Sequence, residues 1–531
     1  MKNLTNIKID RIWYWWIWIA KLEDGKKLLI KWWALPWSIV DVNVTKKHSD
    51  YMEWHIAKIH EYDKSFLDNE IFCPHFFSNV LCHSEARSDE EYKNDKLDSS
   101  LTAQNDKKNK IGCGGCKRQM ISYEKQLELK EWIVQDCFRK LENKPTFLPI
   151  IWSPKEKWYR NKIEFSFGVY ISAKEWRDDR WNLWFHKQWE FSKIVDIDSC
   201  GLISDKMNQV FEYLKKLCFE SWLPTFDQKF HRWFFRHLVI REWQNTNQLL
   251  INLNVFPLLD DDTEWKQKRE NLKNQLKTDD FVQKNISTFV VTYNSGLADI
   301  VRWQDITTET LRWDGYIYEE LKFQNEWTNE IVSSKFRISP FSFFQTNTHG
   351  AEKLFGTAAQ SVWEIKWKIL DLYCGAGSIG ISFLKLWIGN ELLWIEIVPE
   401  AIQDARYNAE INGVKDKCQF IASAAEKILL PEWAPLNKGG PRGDLITDQR
   451  LTDIWLVIVD PPREWLHSNV INRISKLKQS NNFKLLYISC NPTTMARDIE
   501  MFDNLWFNLK SLQPVDMFPH THHIETIWIL L

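Results

Sequence analysis

From residue 336 onward, short apolar runs at 368–372, 391–397, 455–459 and 484–489 alternate with longer stretches whose apolar residues recur at helical spacing. Apolar runs with little polar alternation suit strands buried on both faces, and strands separated by helices predict a doubly wound, parallel α/β sheet. Upstream the pattern differs. Between 121 and 335 a helix-like run at 122–141 leads into β-rich sequence, with strands expected at 163–170, 237–242, 249–255 and 288–293. The first 70 residues place β-rich runs at 12–20, 27–30, 38–44 and 55–59 between turn-like breaks, which predicts a small antiparallel, OB-like barrel. Two polar segments interrupt this order. Residues 78–110 carry almost no aliphatic side chain and are expected to be a disordered insertion within a segment 71–120, and 431–453 reads as a hydrophilic loop.

The chain has 531 residues, which suits about three domains. A formal net charge of -2 argues against binding long duplex by bulk charge, and leaves room for a local basic face. There is no uncharged apolar stretch long enough to span a membrane and no apolar core near Met1, so a cytoplasmic protein is expected. The aromatic content is anomalous: 31 Trp stand against 18 Gly, whereas glycine ordinarily makes up about 7% of a chain. Several of these tryptophans, such as Trp32, Trp33 and Trp37, flank turns where a large ring would be strained. We read them as glycine positions, from a bacterial gene in which UGA encodes glycine but has been translated as tryptophan.

Three segments carry candidate chemistry. Ile369-Leu370-Asp371-Leu372-Tyr373-Cys374-Gly375-Ala376-Gly377 is a strand that breaks into a glycine turn and opens a helix, a cradle for a polar ligand. Glu396, roughly 20 residues on at the end of the next strand, is placed to grip a ribose diol. Val459-Asp460-Pro461-Pro462-Arg463 ends a later strand, and Leu486-Tyr487-Ile488-Ser489-Cys490-Asn491-Pro492 runs a strand into a turn-borne thiol. The glycine turn alone would also admit a dinucleotide, for which Cys490 has no obvious task.

Together with Tyr159-Arg160-Asn161-Lys162-Ile163-Glu164, Arg236-His237-Leu238-Val239-Ile240-Arg241-Glu242, Asn294-Ser295-Gly296, Phe344-Gln345-Thr346-Asn347 and His522-His523-Ile524-Glu525, these segments resemble the RNA uracil-5-methyltransferases that use S-adenosylmethionine. The resemblance implies a Rossmann-like methyltransferase domain at 336–531, with Gln345, Tyr373, Gly375, Glu396 and Asp460 contacting S-adenosylmethionine. It implies Cys490 as nucleophile and Glu525 as base. It also makes 121–335 an RNA-facing domain and 1–70 similar to a TRAM domain, an RNA-binding barrel. Trp158, Trp184, Trp189, Trp233, Trp243, Trp303, Trp313 and Trp394 fall where that family places glycine.

The chemistry explains why a thiol is needed. Carbon 5 of uracil is a poor nucleophile until a thiolate adds at carbon 6; after methyl transfer a base must remove the carbon 5 proton so that the thiol can leave. The target base must also leave its stack, at a cost on the order of a few kcal/mol, which favours loops and unpaired nucleotides.

Cys113-Gly114-Gly115-Cys116, Cys73 upstream and Cys200 downstream form a soft donor set that suits zinc or an iron-sulfur cluster equally. The resemblance implies a [4Fe-4S] cluster, whose first two ligands are normally five residues apart; here 39 residues separate Cys73 from Cys113. Cys82 is the competing first ligand, with Cys73 favoured because Pro74-His75-Phe76 follows it as in the family. The resemblance implies 23S rRNA as substrate over tRNA, because the transfer-RNA branch of the family typically lacks the TRAM domain and cluster cysteines, and a monomer is expected. A non-catalytic iron-sulfur RNA-binding protein is the competing class.

Overall fold

The computed structural model describes residues 3–13, 17–22, 26–30, 37–48, 51–66, 72–73, 113, 115–116, 118–168, 182–187, 190–226, 234–258, 263–296, 306–325, 328–362, 368–428, 451–463, 466–505, 507 and 509–530. The insertion expected at 78–110 and most of the loop expected at 431–453 lie outside these residues, as do Cys82, Trp189, Trp233 and Trp303. The chain divides into two units, each drawn from separate segments: Met1–Cys137 with Gly168–Gly201 and Phe518–His523, and Phe138–Phe167 with Leu202–Met517 and Ile524–Leu531.

The first unit holds a six-stranded sheet that curls into a half-barrel, in the order β1 (Asn3–Lys8), β5 (Ile39–Lys47), β6 (Tyr51–Glu61), β4 (Lys27–Ile30), β3 (Ile17–Lys21), β2 (Arg11–Trp13). Alternation along β5 turns Val40, Val42 and Val44 inward onto Ile9, Ile12, Leu28 and Met52. The run expected as one strand at 12–20 is a hairpin, with Arg11 opposite Ile19 and Trp13 opposite Ile17. β4 pairs with β6 in parallel, so the sheet is mixed where a purely antiparallel one was expected. Helix α1 (Tyr123–Cys137) closes the core through Leu129 and Ile133. The same unit carries the antiparallel pair β9 (Asn182–Lys187) and β10 (Glu190–Asp196).

The second unit is built on an eight-stranded sheet in the order β19 (Cys418–Ala422), β18 (Glu391–Glu396), β17 (Lys368–Leu372), β20 (Ile454–Val459), β21 (Lys484–Ser489), β23 (Glu525–Leu530), β22 (Leu509–Val515), β7 (Thr146–Phe147). β19 through β21 run parallel, and β23 is antiparallel to both its neighbours. The strand order reverses between β17 and β20, and ligands of open α/β sheets bind outside the carboxyl ends of strands at such a switch point. β20 is buried at every position, as its unbroken apolar run predicts. The same unit contains β8 (Lys162–Gly168), β11 (Phe235–Glu242), β12 (Leu249–Val255), β13 (Thr288–Asn294) and β14 (Ile306–Arg312), paired in that order, and the hairpin of β15 (Ile317–Gln324) with β16 (Ile331–Ile338). Helices α2 (Asp205–Glu220), α3 (Thr263–Thr278) and α4 (Asp280–Asn285) accompany these strands. Around the eight-stranded sheet come α5 (Thr348–Val362), α6 (Ser378–Lys385), α7 (Pro399–Ile411), α8 (Ala425–Ile428), α9 (Ser468–Ser480) and α10 (Pro492–Asp503).

Eleven non-glycine residues among those described adopt positive φ, and five of them are tryptophans: Trp37, Trp158, Trp222, Trp313 and Trp387, at 54° to 63°. That region favours glycine. All five residues are more than half exposed, so burial does little to compensate for the strained backbone.

Candidate active site

The carboxyl edge of the parallel sheet gathers the residues singled out in the sequence. After β17 the backbone turns left-handed at Tyr373 (φ 63°), Gly375 (φ 55°) and Gly377 (φ 82°), which caps α6. Glu396 ends β18 and is tied into this turn. Its Oε2 accepts from the Gly375 N–H at 3.1 Å and its Oε1 from the Val398 N–H at 2.9 Å, leaving lone pairs for a diol. Behind the turn Asp371 is buried, accepting from the Trp394 indole N–H at 3.0 Å. Trp394 fits there because Gly377 and Gly380 face it, and a Cβ on Gly380 would come within 2.6 Å of the ring.

Gln345 is buried on the approach to α5, where its carbonyl accepts from Asn161 Nδ2 at 3.0 Å. Tyr373 has its phenol pushed up to about 12, by burial first and then by Glu426, Asp498 and Glu396.

Cys490 follows β21 and is half-buried. The register that sets Ser489 opposite Thr526 brings Cys490 beside Glu525, the first residue of β23. Asn491 then caps α10, its Oδ1 accepting from the N–H groups of Thr493 at 3.1 Å and Thr494 at 3.3 Å. The Asn491 Nδ2 donates to the Arg463 carbonyl at 3.3 Å, which ties the thiol's turn to the Asp-Pro-Pro-Arg turn.

Electrostatically these groups form one site. Burial pushes the Cys490 thiol up to about 12, with Glu525 and Asp460 adding to the rise, while Arg463 opposes it by charge and by a hydrogen bond. Glu525 is 5% exposed, and burial, with Asp460 nearby, holds it well above the usual carboxylate range against the pull of Arg463. Burial also raises Asp460 to about 7. Asp371 is raised by burial, with Asp460 and Glu396 adding to it. The sequence motifs gave no role to Asp371, Arg463 or Asn491. The arginine beside a strand-end acid was the one signal that could have marked Arg463.

The four cysteines also come together, in the first unit. Cys116 is buried, and its thiol is raised by the hydrogen bond it shares with Cys73, by burial, and by the charges of Cys73, Cys113 and Cys200. Gln119 bridges the pair, its Oε1 accepting from the Cys73 N–H at 3.1 Å and its Nε2 donating to Cys116 Sγ at 3.5 Å. Among the described residues no three His, Cys, Asp or Glu side chains close around a single metal ion.

Residues 122–531 match the model of the tRNA (uracil-5-)-methyltransferase family. The chain belongs to that family. It is therefore a transferase of the S-adenosylmethionine-dependent RNA methyltransferases. An RNA methyltransferase of Caldanaerobacter subterraneus subsp. tengcongensis is 31% identical over 420 residues, covering 79% of this chain and 82% of that protein. One from Bacteroides thetaiotaomicron is 28% identical over 526 residues, covering 96% and 98%. The tRNA (uracil-54, C5)-methyltransferase of Pyrococcus abyssi, solved with S-adenosyl-L-homocysteine, superposes with a TM-score of 0.62 at 22% identity, covering 99% of this chain and all of that one. No described helix is long and apolar enough to cross a membrane.

Proposed function

We propose that this member of the family methylates carbon 5 of a uridine in RNA through a covalent bond from Cys490 to uracil carbon 6, with Glu525 as the base. The observation that carries the reading is the juxtaposition of Cys490 and Glu525 on neighbouring strands, beside Asp460 and Arg463 at the mouth of the parallel sheet. The glycine turn and the oriented Glu396 carboxylate fit S-adenosylmethionine, with Gln345, Tyr373 and Asp460 as further contacts. When bound, S-adenosylmethionine supplies an electrophilic methyl group and a positive charge.

Burial favours the neutral forms of the thiol and Glu525, and a positive charge in the pocket favours their anions, so the nucleophile is activated with the pocket filled. Arg463 stabilises the Cys490 thiolate. The thiolate adds to uracil carbon 6, making carbon 5 nucleophilic. Once carbon 5 is methylated, the Glu525 carboxylate takes its proton, the double bond re-forms and the thiolate leaves. Phe343, 72% exposed and two residues before Gln345, offers a face on which an extruded base can stack.

The reading extends to the first unit. The half-barrel serves as a TRAM-like RNA-binding surface, and Cys73, Cys113, Cys116 and Cys200 hold a [4Fe-4S] cluster; the thiolates of such a cluster bind different irons and so do not close on one point. Anaerobic reconstitution with iron and sulfide is expected to give a broad visible absorption that Cys116→Ala abolishes. Colourless wild-type protein after reconstitution would remove the cluster from the reading.

For the substrate, 23S rRNA is favoured on the barrel and the cysteines. A tRNA substrate is the second reading, because the Pyrococcus tRNA enzyme has a fold that spans the whole chain. Both RNAs, unmodified, would be incubated with the protein and S-adenosylmethionine and mapped for 5-methyluridine by nuclease digestion and mass spectrometry. Methylation lost in Cys490→Ala, by at least 1000-fold on the order expected for a covalent nucleophile, supports the reaction. An active Cys490→Ala protein would overturn it.

A further inference from the structure

The Tyr159 to Glu164 and Arg236 to Glu242 segments meet without any task in the chemistry above. β8 and β11 are antiparallel, and their register sets Lys162 directly opposite Arg241. Like charges directly opposite in a sheet are destabilising. Arg160, two residues before Lys162, adds a third positive charge: the Lys162 ammonium is disfavoured by burial, by Arg241 and by Arg160. One carboxylate answers two of these cations. Glu164 lies 3.1 Å from Lys162 Nζ and also acts on Arg241. Another acid near Ser342, Asp404, is already paired with Arg337 at 2.8 Å.

The arginines keep donors in reserve. Arg241 is buried and gives its Nη2 to the Ser342 carbonyl at 2.9 Å, while its Nε is buried with no acceptor. The Arg160 Nε is likewise buried without an acceptor. A buried guanidinium donor left unmatched is unfavourable unless an anion completes the site. The cluster is also joined to the segment carrying Gln345: the Asn161 N–H donates to the Thr346 carbonyl at 2.9 Å, and Arg160 bridges to Asn347.

We propose that Arg160, Lys162 and Arg241 form a phosphate-binding site for the backbone of the RNA substrate, next to the nucleotide whose base is methylated. The inference rests on the RNA reading above and names the residues that would hold the strand in register. Phosphate contacts position a nucleic acid without reading its sequence, so the site serves to place the strand, and the pocket around Cys490 to select the base. The near-neutral net charge is compatible with this, because the excess cations are concentrated at one place.

The test uses the full chain and a single-stranded RNA fragment that the wild-type protein methylates. In Lys162→Gln and Arg160→Gln, RNA affinity is expected to fall about tenfold at low salt. The slope of log K against log salt is expected to shrink by about 0.7 for each single-strand phosphate that the protein no longer neutralises. KM for S-adenosylmethionine stays at the wild-type value, and Lys162→Arg restores the slope. A second arm replaces single phosphates around the target uridine with neutral methylphosphonates. One replacement should weaken wild-type binding yet have no further effect in Lys162→Gln, which ties the cation to the RNA backbone and not to free phosphate. Unchanged slopes in variants that melt at the wild-type temperature, or additive effects at every phosphate, would overturn the site while wild-type methylation stood. If wild-type protein methylates no RNA, the functional reading fails instead.

Discussion

A tryptophan in a left-handed turn is the residue-scale anomaly of this chain. Trp37, Trp158, Trp222, Trp313 and Trp387 all have φ between 54° and 63° and are more than half exposed, so each bears backbone strain that burial of the ring offsets only in part. Trp528 is the opposite case: it is fully buried in β23, edge-on to Phe138 at 5.0 Å. Replacing the five turn tryptophans by glycine is expected to stabilise the protein by about 1 kcal/mol at each site, whereas Trp528→Gly should lose about 3 to 5 kcal/mol. Urea unfolding of the two proteins checks both signs. The deeper question is which residue the source organism inserts. Peptides from native protein should carry the mass of glycine at these five turns if UGA is read as glycine there. Indole mass at all five would refute the recoding, whatever the stability of the variants.

At the scale of elements, the residue leading into β8, strand β15 and helix α5 are bound together by a buried polar chain. Asn161 Nδ2 donates to the Gln345 carbonyl and to Thr348 Oγ1, each at 3.0 Å, and the Thr348 hydroxyl donates to Glu319 Oε2 at 2.6 Å. Glu319 is fully buried, and burial pushes its carboxyl up to about 7 against these hydrogen bonds. A carboxyl whose folded pKa lies above its unfolded one favours the native state below the unfolded value, and that favour is lost as pH rises through about 7. Glu319→Gln removes the titration. Between pH 5 and 7 the wild type should therefore lose up to about 1.4 kcal/mol more stability per pH unit than the variant, as measured by urea unfolding at stepped pH. Parallel curves for the two proteins would mean that Glu319 titrates normally. Comparing variant with wild type cancels Asp460, Glu525 and Asp371, which shift in the same direction. Such elements were unequally legible in the sequence. Strands β17 and β21 were bounded as found, because a short, mostly apolar run that ends in a turn leaves a strand few alternatives. The N-terminal hairpin was read as one strand because the tryptophans between Ile12 and Ala20 hide its turn. Glu319 carried no signal, since its burial depends on Thr348 and Asn245, both distant in the chain.

On the scale of the whole molecule, a chain of net charge -2 sorts its charges into separate places. Acids converge around the cofactor turn and Cys490, and cations around β8 and β11. The sequence revealed the members of the acidic site through their motifs, but not their coupling, because Arg463 reaches Cys490 only after the turns following β20 and β21 are set side by side. That coupling predicts a linkage between ligand charge and protons. Burial raises Asp460 to about 7 and holds Glu525 above an ordinary carboxyl, so the site favours the protonated forms of both. A sulfonium cation beside them lowers both, whereas S-adenosylhomocysteine, with a neutral sulfur, has no such pull. Calorimetric titration at pH 6.5 in two buffers of different ionisation enthalpy counts the protons released. S-adenosylmethionine should release about one proton more than S-adenosylhomocysteine, and Asp460→Asn should remove most of the difference. Equal counts for the two ligands would place the sulfonium out of reach of Asp460 and Glu525, and the activation of Cys490 would then have to come from Arg463 alone.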